Sequence, residues 1–229
     1  METIGRAAVA EFVATFALVF VGAGAVVLAA TGDLDLVGIA LAHGLVLMVM
    51  VSITGHISGG LVNPAVAIAL WVAGKLSTQR AVILIVAQLL GAVVGAAALR
   101  WIVGGETFDA GGAGAPALSP LTDVGRGTVL EALLTFLLVY AVFGTAVDDR
   151  GPWLKTAGLT IGLVIAFEIM AFGPITGAAM NPARWFGPAL IGGLWSDAIV
   201  WTIGPIAGGI IASVVYTRVF LQGRDPGVP

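Results

Sequence analysis

Two short stretches decide how this sequence folds, and they nearly repeat one another: "GHISGGLVNPAV" at Gly55–Val66 and "GPITGAAMNPAR" at Gly173–Arg184. Each places Ser or Thr and a glycine ahead of small or apolar residues, and then the tripeptide Asn-Pro-Ala. Asn is a favoured residue immediately before a helix. Pro suits the first helical position because its missing N–H is not needed there. Each stretch therefore predicts a loop that leads into a new helix.

The composition places these stretches in a membrane protein. Of the 229 residues, 59% are hydrophobic and only 10% are charged, whereas soluble domains carry roughly 25% charged residues. The mean hydropathy is +1.07. A net charge of −3 does not favour binding to nucleic acid or to another polyanion. The absence of cysteine excludes disulfides, thiolate metal sites and thiol catalysis.

Six apolar runs approach the ~20 residues that a helix needs to cross a bilayer. Two further apolar runs, each beginning at the proline of one tripeptide, are too short to cross and predict half-helices. The polar-leaning stretch Gly104–Gly127 shows no helical period and divides the chain. The predicted spans are Ala7–Ala30, Leu36–Thr54, Ala81–Val103, Thr128–Val147, Trp153–Phe172 and Ala198–Phe220, and the half-helices are Pro64–Ala73 and Pro182–Ile191.

The distribution of Lys and Arg orients the spans, because cytoplasmic loops carry an excess of both residues. With both termini cytoplasmic, only Arg100 and Arg126 lie near the outer face, and Arg184 lies within the membrane. We therefore expect a multi-pass protein of the cell (plasma) membrane with both ends inside. The basic residues that fall on the cytoplasmic side are Arg6, Lys75, Arg80, Arg150, Lys155, Arg218 and Arg224.

The two halves of the chain repeat. The segment "AEFVATFALVF" (Ala10–Phe20) matches "LEALLTFLLVY" (Leu130–Tyr140), and the two Asn-Pro-Ala tripeptides lie 118 residues apart. Because each repeat holds three spans, an odd number, the second copy must enter from the opposite face. This predicts an all-α inverted 3+3 repeat, the arrangement that pairs broken helices at the membrane midplane. A single transmembrane channel domain over residues 1–229 then comprises repeat one (about 1–103), the outer loop (about 104–127) and repeat two (about 128–222).

A pair of half-helices explains physically why the tripeptide Asn-Pro-Ala occurs twice. Backbone at membrane depth must be satisfied internally or line a watery cavity. Each half-helix turns its N-terminus, with roughly +0.5 of an elementary charge, toward the midplane, where two positive ends repel cations. We expect Asn63 and Asn181 to cap these ends and to present N–H₂ donors that orient each passing water molecule.

The sequence resembles the aquaporins, or major intrinsic proteins. The resemblance rests on the two Asn-Pro-Ala tripeptides, on "AEF" and "LEA", on "AQLLGA" in the third span, and on "NPARWFGPA" (Asn181–Ala189), and it covers essentially the whole chain. It implies six tilted helices with two re-entrant half-helices around one pore per subunit, and a homotetramer. It implies no enzymatic activity and no cofactor. The implied pore residues of the tripeptides are Asn63, Pro64, Ala65, Asn181, Pro182 and Ala183.

The resemblance also assigns a four-residue selectivity filter and a ladder of loop carbonyls. The filter, His–Ile–Ala–Arg, is most similar to that of vacuolar-type plant aquaporins, and it lacks the aromatic residue and second-position histidine of strict water filters. Glu11, Glu131 and His56 are expected to brace the loops. The filter residues are His43, Ile169, Ala178 and Arg184, and the carbonyl ladder comprises Gly59, Gly60, Leu61, Gly177, Ala178, Ala179 and Met180.

These assignments predict a passive channel for water, and also for ammonia or other small neutral solutes, that excludes protons and ions. A glycerol-type facilitator is one alternative. An ion-coupled secondary transporter is another, since inverted repeats and broken helices serve transporters too, although such a protein would want an acidic residue at the midplane. A membrane-structural role is the third, and it gives no reason to keep Arg184 inside the membrane.

Overall fold

A computed structural model describes residues 3–150 and 156–223. The start of the fifth predicted span at Trp153 and the basic residues Lys155 and Arg224 lie outside the described residues. Six helices in the described part of the chain are long and apolar enough to cross a membrane. The helices are α1 (Ile4–Ala29), α2 (Leu36–Ser58), α3 (Pro64–Val72), α4 (Thr78–Val103), α5 (Gly105–Ala110), α6 (Val124–Val142), α7 (Ala157–Thr176), α8 (Pro182–Gly192) and α9 (Ala198–Tyr216).

The predicted architecture is confirmed, with α3 and α8 as the two half-helices between the spanning helices. The chain continues α6 through a π-helical turn at Phe143–Val147 and α9 through another at Thr217–Leu221. Helices α2 and α7 run four residues further than the sequence predicted, to Ser58 and Thr176. The loops that precede the half-helices are therefore very short.

The helices pack as an inverted repeat whose halves are interlocked. Within the first repeat α1 packs on α4, within the second α6 packs on α9, and α2 packs on α7 between the repeats. Each half-helix packs on the last spanning helix of the other repeat, since α3 contacts α9 and α8 contacts α4. Neither half-helix is therefore buried by its own repeat alone.

Glycines allow the closest of these helix contacts. A Cβ at Gly91 would collide with the backbone of Phe12 on α1, and one at Gly162 would collide with the backbone of Gly44 on α2. Small residues at membrane helix interfaces let backbones approach in this way.

The outer loop differs from its prediction. Residues Gly105–Ala110 form the short helix α5, and Gly112–Gly114 add a turn of 3₁₀ helix. Gly111 and Gly114 pack so tightly on α1, at Val27 and Ala23, that a Cβ on either would approach its backbone within 2.8 Å. The loop is therefore folded onto the helices rather than extended.

Candidate functional site

The two asparagines begin the half-helices and are tied to each other's loops. Asn63 precedes α3 with an extended backbone, and its Oδ1 accepts a hydrogen bond from Ala65 N at 2.8 Å. Its Nδ2 donates to the carbonyl of Met180, in the other repeat, at 2.8 Å. The prolines and alanines of both tripeptides are buried in the first turns of α3 and α8: Pro64, Ala65, Pro182 and Ala183.

Asn181 makes the reciprocal set of bonds. Its Oδ1 accepts from Ala183 N at 2.9 Å and from Arg184 N at 3.3 Å. Its Nδ2 donates to the carbonyl of Val62 at 2.8 Å. Because an amide nitrogen carries two N–H groups, each asparagine keeps one donor beyond this crossed pair of bonds, and both asparagines line the same cavity.

Glu11 holds the first loop from beneath. This fully buried carboxylate accepts from Leu61 N at 2.8 Å, from Val62 N at 2.6 Å and from the Ser58 hydroxyl at 2.6 Å. Gln88 Nε2 donates a fourth bond at 2.7 Å. Hydrogen bonds to a charged acceptor are stronger than those between neutral groups, so the loop is held firmly in one conformation.

Glu131 holds the second loop in the same way but with three partners. It accepts from Ala179 N at 3.0 Å, from Met180 N at 2.7 Å and from the Thr176 hydroxyl at 2.7 Å. Both glutamates therefore contact the loops through the same type of bond, from a backbone N–H to a buried carboxylate.

His56 does not act as the expected brace. Its side chain is exposed and lines a surface groove with Arg6 and Ile57, away from the loops. Ser58, at the end of α2, makes the contact instead, since it donates to Glu11 and accepts from Gly60 N at 3.0 Å. The correction follows from the extension of α2, because residues two apart on a helix point about 200° apart.

The loops hold backbone conformations that most residues avoid. Val62 has a φ of 54° and Met180 a φ of 51°, and Ala178 has a φ of 44°. A positive φ is costly for any residue with a Cβ and most of all for a β-branched one such as Val62. The surrounding hydrogen bonds therefore stabilise these strained backbone conformations. Strained residues of this kind cluster at functional sites.

A narrow cavity runs past both asparagines. It extends from α2 to the π-helical end of α6. The space open to the centre of a water molecule is about 40 Å³. A single water needs roughly 10–15 Å³ on this measure, so the cavity has room for a few water molecules. Its walls are mostly aliphatic, with residues such as Leu47, Ile161 and Leu138.

All four residues of the expected filter line this cavity. His43, Ile169, Ala178 and Arg184 are each no more than 3% exposed. The Arg184 guanidinium donates to the carbonyl of Gly114 in the outer loop at 2.7 Å. That glycine is a functional contact which the sequence did not reveal, because no motif surrounds it.

The expected carbonyl ladder needs one correction. Met180 does not line the cavity; it is fully buried, and its carbonyl accepts the Asn63 amide bond. Gly177 lines the outer vestibule, together with Pro116 and Ala117 of the outer loop. The ladder residues that line the main cavity are Gly59, Gly60, Leu61, Ala178 and Ala179.

Two residues next to the filter take no part in the cavity wall. Glu168 on α7 is 1% exposed, and neither carboxyl oxygen has a hydrogen-bond partner within residues 3–150 and 156–223. Trp185 is buried in an aromatic cluster with Phe186 and Trp195. The cavity is thus lined by one cationic side chain and no carboxylate among the described residues.

Comparisons of both sequence and structure with known proteins match this chain along almost its whole length. The model of the family described as Major intrinsic protein matches residues 2–216. The chain is 41% identical to Aquaporin TIP4-4 of Zea mays, over 96% of this chain and 90% of that protein. It is 40% identical to Aquaporin TIP2-1 of Arabidopsis thaliana, over 98% and 90%. The X-ray structure of the aquaglyceroporin from Plasmodium falciparum superposes with a TM-score of 0.85 at 25% identity and covers 95% of this chain and 97% of that one.

Proposed function

This chain belongs to the major intrinsic protein family, and we propose that it is a passive transmembrane channel for water that also passes ammonia or other small neutral solutes and excludes protons and ions. It is a channel and not an enzyme. In this function the chain forms one channel domain with repeats at about 1–103 and 128–222. The observation that carries it is the crossed pair of asparagine bonds at the ends of two opposed half-helices.

The asparagine pair supports both conduction and proton exclusion. Two half-helix N-termini, each with about half a positive charge, meet where Asn63 and Asn181 line the cavity. The remaining N–H of each amide can donate to the oxygen of a passing water, and that water then turns its own hydrogens away from the midplane. A continuous donor chain, which proton transfer would need, is interrupted there, and the positive helix ends oppose any cation.

The placement of the acidic residues argues against an ion-coupled transporter. Glu11 and Glu131 are occupied by the loops they hold. Glu168 does not line the cavity. A site for a coupling cation would need a carboxylate on the transport path, and the described cavity wall offers none.

We assign solute selection to His43, Ile169, Ala178 and Arg184. Arg184 places a cationic donor in the cavity wall, fixed by its bond to Gly114. Ile169 and Ala178 contribute an apolar wall in place of further donors. Such a wall favours small neutral solutes such as ammonia beside water. The similarity to a structure named as an aquaglyceroporin makes glycerol facilitation the second candidate.

The proposed function also involves an assembly and an orientation in the membrane. The chain is an integral, multi-pass membrane protein, and the comparisons do not support the expected plasma membrane as its location. We propose a homotetramer with both termini cytoplasmic. Native mass spectrometry of the solubilised protein tests the first point, and accessibility of terminal tags in intact cells tests the second.

Stopped-flow measurements on proteoliposomes test the function directly. An osmotic step should shrink vesicles rapidly and without an ion gradient, while an imposed pH gradient persists. A pH gradient that collapses as fast as water moves would contradict the asparagine mechanism. Glycerol flow as fast as water flow would favour the second candidate.

A paired substitution tests selection by the filter. The variant Ile169→His with His43→Phe narrows the passage and should suppress ammonia flux more than water flux. Equal loss of both fluxes would show that these positions do not set selectivity.

A further inference from the structure

The ring of His43 is held in one orientation by its own helix. Its Nδ1 lies 2.8 Å from the carbonyl oxygen of Ile39, one turn earlier on α2. A carbonyl oxygen can only accept a hydrogen bond, so Nδ1 must carry the proton that is donated. The hydrogen bond of one ring nitrogen thereby determines the state of the other. In a neutral ring, Nε2 then carries a lone pair.

Nε2 has no hydrogen-bond partner in the part of the chain that the structure describes, although it is buried. His43 lines both the main cavity and the outer vestibule, as Arg184 does. A buried nitrogen without a protein partner normally finds a water molecule or a ligand. At this position the available partner is whatever molecule occupies the space between the four proposed filter residues, which we call the constriction.

Gly22 on α1 provides the space for the ring. A Cβ at Gly22 would lie 2.6 Å from both Cδ2 and Nε2 of His43 and 3.1 Å from Cε1. Similar distances to three ring atoms place that Cβ against the face of the ring rather than at its edge. Any side chain at position 22 would therefore push the ring out of its place, whereas glycine leaves the edge with Nε2 free.

We propose that His43 presents the Nε2 lone pair to the constriction as a hydrogen-bond acceptor beside the donors of Arg184, and that Gly22 is the positioning residue that seats the ring. This inference rests on the channel function proposed above and deepens it. The constriction then recognises small neutral molecules that donate and accept at once, such as water and ammonia. A passing molecule accepts from the guanidinium and donates to Nε2 while it has lost most of its water neighbours.

The state of the ring can be measured without any transport assay. The chain contains two histidines, so His56→Gln leaves His43 as the single histidine. Solid-state NMR of ¹⁵N-histidine in lipid bilayers should then show one protonated nitrogen, assigned to Nδ1, and one unprotonated nitrogen, assigned to Nε2. Two protonated nitrogens, or a proton on Nε2 with Nδ1 bare, would overturn the proposal even if the protein conducts water.

The importance of the acceptor can be measured by replacing the ring with 2-fluorohistidine in the same His56→Gln background. The substituted ring has nearly the same shape, but its nitrogen is a much weaker acceptor. Water and ammonia fluxes should both fall about fivefold, which corresponds to about 1 kcal/mol at the barrier and is typical of one hydrogen bond. Unchanged fluxes would show that Nε2 plays no part in conduction. A native chain that conducts no water would instead reject the channel function itself.

Gly22→Ala tests the seat, and Gly24→Ala is its matched control. A Cβ at Gly24 would meet only Leu99 Cδ1, at an ordinary 3.4 Å. Gly22→Ala should disturb the ¹⁵N pattern of His43 and alter the ratio of water to ammonia flux, while Gly24→Ala leaves both unchanged. If Gly22→Ala inserts into the bilayer with an unaltered ¹⁵N pattern, Gly22 does not position the ring.

Discussion

The two pore loops share a backbone but not their side chains. Gly59 and Gly177 have φ values of 104° and 81°, and the next residues, Gly60 and Ala178, have 62° and 44°. Two residues later Val62 and Met180 have 54° and 51°. The same left-handed turns recur although the residue types differ, because in both repeats a buried glutamate binds the same two backbone N–H groups. The two repeats thus share one backbone path, and this path brings each asparagine to the beginning of its half-helix.

The side chains on that shared backbone differ at the positions where we propose that the pore is selective. Val66 occupies the position equivalent to Arg184, and Gly60 the position equivalent to Ala178. Both Val66 and Gly60 line the cavity. The half of the passage beside the first loop, which is the inner half in the orientation expected from the basic residues, is therefore apolar and uncharged, while the outer half carries the cation. The symmetry of the two repeats pairs the asparagines at the middle, and the difference between the repeats on one side produces the proposed filter.

Removal of either glutamate should have the largest effect on the loop conformation that the two repeats share. Glu11→Ala or Glu131→Ala leaves two loop N–H groups and a hydroxyl unpaired in a buried site. The loss should destabilise the protein by about 4 kcal/mol or more and abolish water flow. Thermal unfolding in detergent and stopped-flow assays measure both effects. Glu106→Ala, in the exposed outer helix, is the control, and a Glu131 variant with normal stability and flow would contradict the bracing role.

A single cysteine can locate the filter on the shared backbone. The chain contains no cysteine, so Hg²⁺ should leave the native protein unaffected. In Ala178→Cys, bound mercury should reduce water flow nearly to that of protein-free vesicles, because the thiolate projects into the narrow region. Ile211→Cys, at a position 54% exposed on α9, is the control. Normal flow through a demonstrably labelled Ala178→Cys channel would place the filter elsewhere.

Arg184→Val makes the outer half resemble the inner half. The substitution removes the filter's cation and should raise the flux of protons and small cations at least about tenfold, a change of about 1.4 kcal/mol in the barrier. Dye-based ion-flux assays on proteoliposomes measure this change. Arg126→Val serves as the control because its side chain is 80% exposed. If cation flux does not change, the half-helix ends alone provide the electrostatic barrier.

Gln88→Ile tests a single hydrogen bond that the glutamate of the first repeat has and that of the second repeat lacks. Gln88 gives Glu11 its fourth hydrogen bond, and the equivalent residue of the second repeat is Ile206. Loss of this bond should lower the free energy of unfolding by about 1.5 kcal/mol, as judged by thermal unfolding. Ile206→Val, which removes only a methylene group, should cost less, about 1 kcal/mol or below. An equal cost at both positions would mean that the fourth bond adds no stability.

The sequence predicted whatever is local and periodic. Apolar runs gave the six spans, and proline after asparagine gave the beginnings of α3 and α8. It did not predict that α2 continues to Ser58, and so it assigned to His56 the role that the helix gives to Ser58.

Contacts between distant parts of the chain could not be predicted in the same way. The bond from Asn63 to the carbonyl of Met180 joins residues 117 apart. The bond from Arg184 reaches Gly114 in a glycine-rich loop that carries no recognisable pattern. Both contacts depend on how the finished helices pack, and neither leaves a trace in residue spacing.

The crossed bonds between the loops have a consequence for biosynthesis. Asn63 must wait for Met180, 117 residues later, before its amide has a partner. At roughly 5–20 residues per second, that delay is about 6 to 23 s. During this interval α3 also lacks α9, the helix against which it packs in the finished protein. The first half of the chain therefore remains an incomplete intermediate, with the Asn63 amide and one face of α3 without their final partners, until the second half has been made.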